Sequence, residues 1–412
     1  MAPRTGELSA RLGFMLRSRG KPGRGVWWGS RRPWKARFNA STIVGVIAGS
    51  LVLVPSLHAE RTRALSDSSK STARAPLVFG IYPGGAVGTV GPTGHVVPDN
   101  SSRQLAALRE LRSDDHLFVL RLYASYAGPR TSSPAEQVGS AITAYTTAGF
   151  QIELVLTYRP TDQNPPEDIR GYTAFVRKAV EAFGPNPNVV ALQVTNEVNI
   201  TNAAKAADGY YAGAVGALVH GVIAAKERAT AIQATQLEVG FNWAYSRNPG
   251  ESEFWRALDR GGDAFRRSLD WVGLDVYPLT WGPRVGGNDL ETETKDTMLD
   301  ALSALRDHFM PVAQLSNAVA IHVSECGYPT GPERTYAMQE TVLKASVSVV
   351  NAERAAFNVT GFNWFDLRDA ESSSANFESQ YGLLHDDYTP KPAFDVYRHL
   401  VATLGLGDGV AN

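Results

Sequence analysis

Two glutamates in separate motifs are the residues best suited to chemistry. Glu197 lies in "QVTNEVN" and Glu325 in "IHVSECGYPTG", each at the end of a run rich in apolar residues. A carboxylate in such a position is costly to bury without a partner. Two facing carboxylates can divide the breaking of a glycosidic bond, since one protonates the leaving oxygen while the other attacks the anomeric carbon or activates water. A solvated or salt-bridged strand end is the alternative for either glutamate alone.

The scaffold that would bring these glutamates together can be read from the alternation of elements. From Pro76 onward, short β-branched runs alternate with helical stretches, and eight such units follow one another. This order predicts parallel strands with right-handed crossovers, and therefore an α/β fold of the (β/α)8 TIM-barrel type over residues 76–412. An open, doubly wound sheet is the competing architecture. The predicted strands are 77–82, 116–123, 150–158, 188–197, 236–243, 269–277, 318–325 and 359–366.

In a barrel of this kind the functional residues lie at the carboxyl ends of the strands. Arg121, on strand two, could pair with Glu325; a structural salt bridge elsewhere is the alternative. Tyr277, at the end of strand six, could donate its hydroxyl to Glu325 or serve only in packing. Asp275 lies two residues earlier, on the same face of that strand. Arg121 and Tyr277 would stabilise the negative charge of Glu325 by charge and hydrogen bonding.

Aromatic and amide side chains near the strand ends are candidates for sugar binding. The apolar face of a sugar ring stacks on aromatic rings, although such rings also fill protein cores. Asn242 could bond a sugar hydroxyl. The predicted aromatic lining of the cleft comprises Tyr123, Tyr158, Trp243, Trp281 and Trp364.

The two glutamate motifs, placed on strands four and seven of one barrel, resemble clan A of the retaining glycoside hydrolases. The resemblance covers about residues 76–405 and implies that Asn196 binds a sugar 2-hydroxyl, Glu197 is the acid/base and Glu325 the nucleophile. Arg121, Tyr277 and Trp364 match the clan by strand and local pattern.

Within the clan, "VSECGYPTG" is similar to the β-1,3-glucanases of family 17, which have Trp where Tyr328 stands. Asp275-x-Tyr277 has the spacing of the His-x-Tyr of family 5, with Asp in place of His. These departures concern the substrate rather than the reaction type.

The resemblance implies hydrolysis of a β-linked oligo- or polysaccharide by double displacement, without a metal or cofactor. Glu325 would start ionised and Glu197 protonated, with their carboxyl groups about 5–5.5 Å apart. A transglycosylase using the same intermediate, a barrel that only binds glycans and a metal-dependent barrel hydrolase remain alternatives. His322 is out of phase with Glu325 along its strand, so simple alternation predicts that it faces the helices.

The amino-terminal region predicts export. Residues 1–40 contain ten Arg or Lys and one acid, whereas the whole chain of 412 residues has a net charge of −1. The apolar run at 42–55 follows, so residues 1–59 resemble a signal peptide, with an uncleaved anchor or a short buried helix as alternatives. Residues 60–75 are a polar linker. We expect an exported or membrane-anchored monomer that binds carbohydrate and not nucleic acid, with the single Cys326 excluding an intramolecular disulfide.

Overall fold

The computed structural model describes residues 76–85, 95–112, 116–161, 167–204, 206–246, 248, 250–281 and 289–405. The predicted signal or anchor segment (1–59) and the linker (60–75) lie outside these residues. None of the helices within the described ranges combines the length and the apolarity needed to cross a membrane.

Eight parallel strands form a closed barrel in chain order, with β1 pairing both β2 and β8. The predicted (β/α)8 architecture is therefore confirmed, and the open sheet is excluded. Long β-branched and aromatic runs suit strands that are covered on both faces. The strands are β1 (Val78–Ile81), β2 (Phe118–Tyr126), β3 (Gln151–Tyr158), β4 (Val189–Val194), β5 (Glu238–Ala244), β6 (Trp271–Val276), β7 (Ala320–Cys326) and β8 (Val359–Trp364).

Helices connect the strands and cover the outside of the barrel. The helix that follows β4 begins at Ala214, after a loop (203–204 and 206–213) that packs back on the end of β4. The helices of the described residues are α1 (Ser101–Arg112), α2 (Pro134–Thr147), α3 (Ile169–Phe183), α4 (Ala214–Ala231), α5 (Glu251–Asp259), α6 (Gly262–Arg267), α7 (Leu290–Ser303, continued by a π-helical turn, Ala304–Phe309, and Met310–Val312), α8 (Tyr336–Phe357) and α9 (Pro392–Leu404).

A large aromatic side chain fills part of the barrel interior. Trp271 of β6 lies beside Gly240 of β5, and a Cβ on that glycine would come within 2.4 Å of the indole ring. The same indole stacks on the ring of His322, with 4.4 Å between the ring centroids. Only glycine at position 240 leaves room for this packing.

A bulge in β7 changes which of its residues face inward. Leu274 pairs with Val323, but the next residue of β6, Asp275, pairs with Glu325, so one residue of β7 is extra. Because the bulge shifts the alternation, His322 and Glu325 both face the interior, and the Nδ1 of His322 lies 3.9 Å from a carboxylate oxygen of Glu153. The prediction that His322 faces the helices is therefore wrong.

Candidate active site

The carboxyl ends of the strands open into a cleft of about 750 Å³. Its floor contains Glu197 and Glu325, and its walls come from the loops that follow the strands. The functional residues were predicted from the sequence to lie at this end of the barrel.

Three donors surround the carboxylate of Glu325. One of its oxygens accepts the hydroxyl of Tyr123 at 2.6 Å and an Nη of Arg121 at 3.2 Å. The other accepts the hydroxyl of Tyr277 at 2.7 Å. A guanidinium and two hydroxyl donors stabilise the anionic form, which is the form that a nucleophile needs.

The carboxyl group of Glu197 has a different environment. Glu197 follows β4 in a left-handed conformation, with φ of 49°, and its backbone N–H donates to the Oδ1 of Asn242 at 2.8 Å. The Nδ2 of Asn242 donates to the Oδ1 of Asn196 at 3.0 Å and also to Asp275. Asn242 therefore fixes the backbone of Glu197 rather than its carboxyl group.

The carboxyl groups of Glu197, Asp275 and Glu325 lie close together, with one oxygen from each within 4.8 Å of the others. Burial raises the pKa of Glu197 well above its usual range, and the negative charges of Asp275 and Glu325 raise it further. Burial and the charge of Glu325 raise the pKa of Asp275 in the same way. The site thus contains one carboxyl group held by three hydrogen-bond donors next to a second carboxyl group whose pKa is raised, the division that acid/base chemistry requires.

The raised pKa of Glu197 predicts an effect on stability. A carboxyl group whose pKa is higher in the folded state than in the unfolded state contributes fully to stability at pH values below its unfolded-state pKa. This contribution is lost as the pH rises through its folded-state pKa. We expect Glu197→Gln, which cannot ionise, to have a higher Tm than the wild type at alkaline pH, by about 2 °C. The gap should shrink on acidification, which thermal denaturation from pH 4.5 to 9 can measure. A gap independent of pH would contradict the assigned direction of the pKa shift.

A polar network inside the barrel supports Arg121 from below. The guanidinium pairs with the buried carboxylate of Glu153 as well as with Glu325. Burial alone would raise the pKa of Glu153, but Arg121 and His322 lower it. Asn363 of β8 donates to the same carboxylate at 3.5 Å. Arg121 is therefore held between two acids, which fixes its position under the nucleophile.

Most of the predicted polar residues lie together in this structure. Arg121, Tyr123 and Tyr277 contact Glu325 directly. The other polar candidates, Asn196, Asn242 and Asp275, form a hydrogen-bonded chain beside Glu197.

The structure does not bring Trp243 or Trp364 to the cleft, which corrects the prediction of sugar platforms there. Both side chains are fully buried. Trp243 faces the helices, where its indole N–H donates to Glu251 at 2.7 Å. Since Asn363 faces the barrel interior, alternation turns Trp364 outward. Phe365, the residue after β8, lines the cleft instead.

Of the remaining aromatic candidates, Trp281 reaches the cleft and Tyr158 does not. Tyr158 is buried, and its hydroxyl donates to the carbonyl of Ala212 at 3.0 Å. Trp281 lines the cleft with 48% of its surface exposed. Its indole N–H donates to Glu378 at 2.8 Å, and its ring lies 5.3 Å from that of Tyr277. This aromatic ring is both exposed and anchored.

Several cleft residues were not found from the sequence. Four of them directly follow β1, β3, β5 or β8 and could have been found by the strand-end rule: Tyr82, Arg159, Tyr245 and Phe365. Glu378 and Tyr381 have no such signal, because the chain travels more than ten residues beyond β8 before it returns to the cleft. The unpredicted lining side chains with aromatic or charged groups are Tyr82, Arg159, Tyr245, Phe365, Glu378 and Tyr381.

Three solved structures share this fold at low sequence identity. A family 39 glycoside hydrolase from the gut symbiont Bacteroides cellulosilyticus WH2 is 15% identical with a TM-score of 0.53; the match covers 80% of this chain and 64% of that one. A β-glucuronidase from uncultured Clostridium sp. is 11% identical with a TM-score of 0.51 and coverages of 80% and 50%. The β-glucuronidase from Ruminococcus gnavus in complex with uronic deoxynojirimycin is 15% identical, with a TM-score of 0.50 and coverages of 79% and 50%.

The chain therefore spans about two thirds of the length of the first protein and half of the others. No family model matches the sequence, and no curated protein matches it. At these identities the likeness establishes the barrel fold, in agreement with the clan A resemblance, and the activity has to be argued from the site itself.

Proposed function

We propose that this protein is a retaining glycoside hydrolase that cleaves β-linked oligo- or polysaccharides. One observation carries the proposal: the carboxyl groups of Glu197 and Glu325 approach within 4.8 Å but have different surroundings. Glu325 accepts hydrogen bonds from a guanidinium and two hydroxyl groups, whereas Glu197 is buried beside two other acids. Retaining enzymes use carboxyl groups about 5–5.5 Å apart, whereas inverting enzymes need about 6.5–9.5 Å to admit a water molecule. The short separation supports direct attack on the sugar.

In the first step the carboxylate of Glu325 attacks the anomeric carbon and forms a glycosyl ester. The bond to the leaving oxygen breaks at the same time, and Glu197 gives that oxygen its proton. Arg121, Tyr123 and Tyr277 hold the attacking carboxylate in position through their bonds to both of its oxygens.

In the second step Glu197, now ionised, removes a proton from water, and the water oxygen attacks the anomeric carbon. The ester bond breaks, Glu325 recovers its negative charge, and the sugar leaves with its original configuration. A sugar hydroxyl in place of water would give transglycosylation through the same intermediate.

The three clustered carboxyl groups also raise the possibility of a cation site. However, Arg121 contributes a positive charge to Glu325, and both oxygens of Asp275 accept hydrogen bonds, from Ser324 and Asn242. The donors that occupy these oxygens favour an acid/base pair over a metal centre. Incubation with EDTA is therefore expected to leave activity unchanged, whereas loss on chelation and recovery with a divalent cation would favour the metal-dependent hydrolase.

The exposed ring of Trp281 predicts a preference for longer substrates. Trp281 lies beside Tyr277, whose hydroxyl contacts the proposed nucleophile Glu325. The leaving group would lie toward the proposed acid, Glu197. We therefore place Trp281 on the side of the cleft away from the leaving group. Trp281→Ala should lower kcat/KM for an oligosaccharide about 2- to 12-fold, since ring stacking contributes about 0.5–1.5 kcal/mol beyond area burial. Aryl monoglycosides, which leave that position empty, should be hydrolysed nearly as before. Equal losses on both substrates would remove Trp281 from the substrate path.

The activity itself can be tested on a panel of aryl β-glycosides and insoluble glucans. Hydrolysis of at least one β-glycoside supports the proposal, whereas glycan binding without turnover would favour the glycan-binding barrel. We further propose export through residues 1–59, which amino-terminal sequencing of the protein from its native cells can test.

A further inference from the structure

The backbone that carries Glu197 has an unusual conformation. Thr195 and Glu197 have φ values of 65° and 49°, the left-handed region that side chains other than glycine rarely adopt. Asn196 lies between them. Two such residues so close together persist only where the surroundings hold them in place.

Asp208 is the residue that holds this segment. Its Oδ2 accepts the backbone N–H of Asn196 at 2.8 Å and that of Tyr158 at 2.6 Å, which ties the end of β4 to the end of β3. Its own N–H donates to the carbonyl of Asn196 at 2.8 Å. Asp208 thus bonds both backbone groups of the residue between the two left-handed positions.

Gly209, the residue after Asp208, shows how closely the loop that contains both residues packs on the backbone that follows Glu197. A Cβ on Gly209 would lie 2.2 Å from the carbonyl oxygen of Val198 and 2.6 Å from that of Ile200. Only glycine allows the loop to approach the backbone after Glu197 in this way. Asp208 itself is fully buried and does not line the cleft, so it has no contact with a bound substrate.

We propose that Asp208 is a positioning residue that aims Glu197 at the glycosidic oxygen. This inference rests on the proposed function, because it assigns Asp208 to the acid/base half of that reaction. The role is distinct from that of Arg121, Tyr123 and Tyr277, which hold the nucleophile. Loss of Asp208 should therefore damage proton transfer and leave nucleophilic attack intact.

The charge of Asp208 adds a second effect that can be measured. Burial raises the pKa of Asp208 to about 7, although Arg159 and the two backbone donors lower it. Its negative charge in turn contributes to the raised pKa of Glu197. The other titratable side chains near Asp208 are Tyr158, Tyr172 and Tyr211. Burial raises the pKa of each tyrosine, and the negative charge of Asp208 raises it further. Since a general acid must be protonated, removing this charge should move the alkaline limit of activity to lower pH.

Two substitutions separate position from charge. Asp208→Ala removes the acceptor for both backbone N–H groups, whereas Asp208→Asn keeps one oxygen for them and removes the charge. For Asp208→Ala we expect kcat/KM to fall about 100-fold for an aryl glycoside with a poor leaving group, the lower end of general acid catalysis. For a dinitrophenyl glycoside, which leaves without protonation, the loss should be under about fivefold. For Asp208→Asn the alkaline limb of kcat/KM should move to lower pH.

Asp369→Ala is the matched control. Asp369 is also fully buried, accepts a backbone N–H from Gly382 and pairs with Lys391, but it lies outside the cleft. It should lower the Tm without changing the ratio of kcat/KM between the two substrates. If Asp208→Ala does not fold, the pH profile of Asp208→Asn still tests the inference, because an amide oxygen in the place of Oδ2 can accept both backbone N–H groups while the charge is lost.

The outcomes distinguish this inference from the proposed function. A selective loss on the poor leaving group, with an acid shift of the alkaline limb in Asp208→Asn, supports the positioning role. Equal losses on both substrates, or an unmoved alkaline limb of Asp208→Asn when Asp208→Ala does not fold, would overturn it while the wild type remains an active glycosidase. A wild type inactive on every β-glycoside would overturn the proposed function as well.

Discussion

Glu325→Gln is expected to lower kcat by about 100,000-fold on every substrate, the scale seen when an enzyme loses its nucleophile. An amide cannot form the glycosyl ester, so leaving-group quality cannot compensate. The folded state should survive, because the amide oxygen still accepts hydrogen bonds and Arg121 keeps Glu153 as an anionic partner. Initial rates with aryl glycosides, together with a thermal melt, measure both expectations.

The matched control for this substitution is Glu293→Gln. Glu293 is a buried carboxylate on α7 that does not line the cleft, and its replacement should leave kcat unchanged. Wild-type turnover in Glu325→Gln would remove Glu325 from the mechanism. If Glu325→Gln loses activity but is also unfolded, the role of Glu325 can be decided with Glu325→Asp, provided that its Tm equals that of the wild type. This variant should also be strongly impaired, because its carboxylate is one methylene short.

Glu197→Gln should give a different pattern, one that depends on the leaving group. For poor leaving groups we expect kcat/KM to fall about 1,000-fold, within the range of general acid catalysis. For dinitrophenyl glycosides the fall should be under about tenfold, because that leaving group needs no proton. A Brønsted plot of kcat/KM against leaving-group pKa would therefore be much steeper for the variant than for the wild type.

The second half of the Glu197 role can be tested with azide. The variant lacks the base that activates water, so the glycosyl-enzyme should accumulate with activated substrates. Azide attacks without a base, and it should restore kcat for the variant and give a glycosyl azide of unchanged anomeric configuration. Equal losses across all leaving groups, with no effect of azide, would show that Glu197 is not the acid/base.

Much of this architecture can be read from the sequence because the barrel repeats one local pattern. Each strand is a short β-branched run followed by a helix, so the eight elements fall near their predicted bounds. The strand-end rule then finds Glu197, Glu325 and Tyr277 without knowledge of any contact. Their convergence follows from barrel closure, which brings strands four and seven to opposite sides of one cleft.

The features that could not be predicted depend on single-residue register or on loop paths. The bulge in β7 turns His322 inward, although strict alternation predicts the opposite, and no residue type in "IHVSE" signals it. Alternation along β8 also determines which aromatic residue faces the cleft. Trp364 is buried, and the next residue, Phe365, lines the cleft. Glu378 reaches the cleft through a loop whose course is fixed by tertiary packing rather than by local propensity.

Trapping of the intermediate is the measurement that tests the central claim most directly. An activated 2-deoxy-2-fluoro glycoside slows both steps through its electron-withdrawing fluorine, while the good leaving group keeps the first step fast enough for the ester to accumulate. Intact-mass spectrometry followed by peptide mapping should find one fluorosugar, attached to the side chain of Glu325. Attachment at another residue, or turnover without an adduct and with inversion of the anomeric centre, would contradict the account.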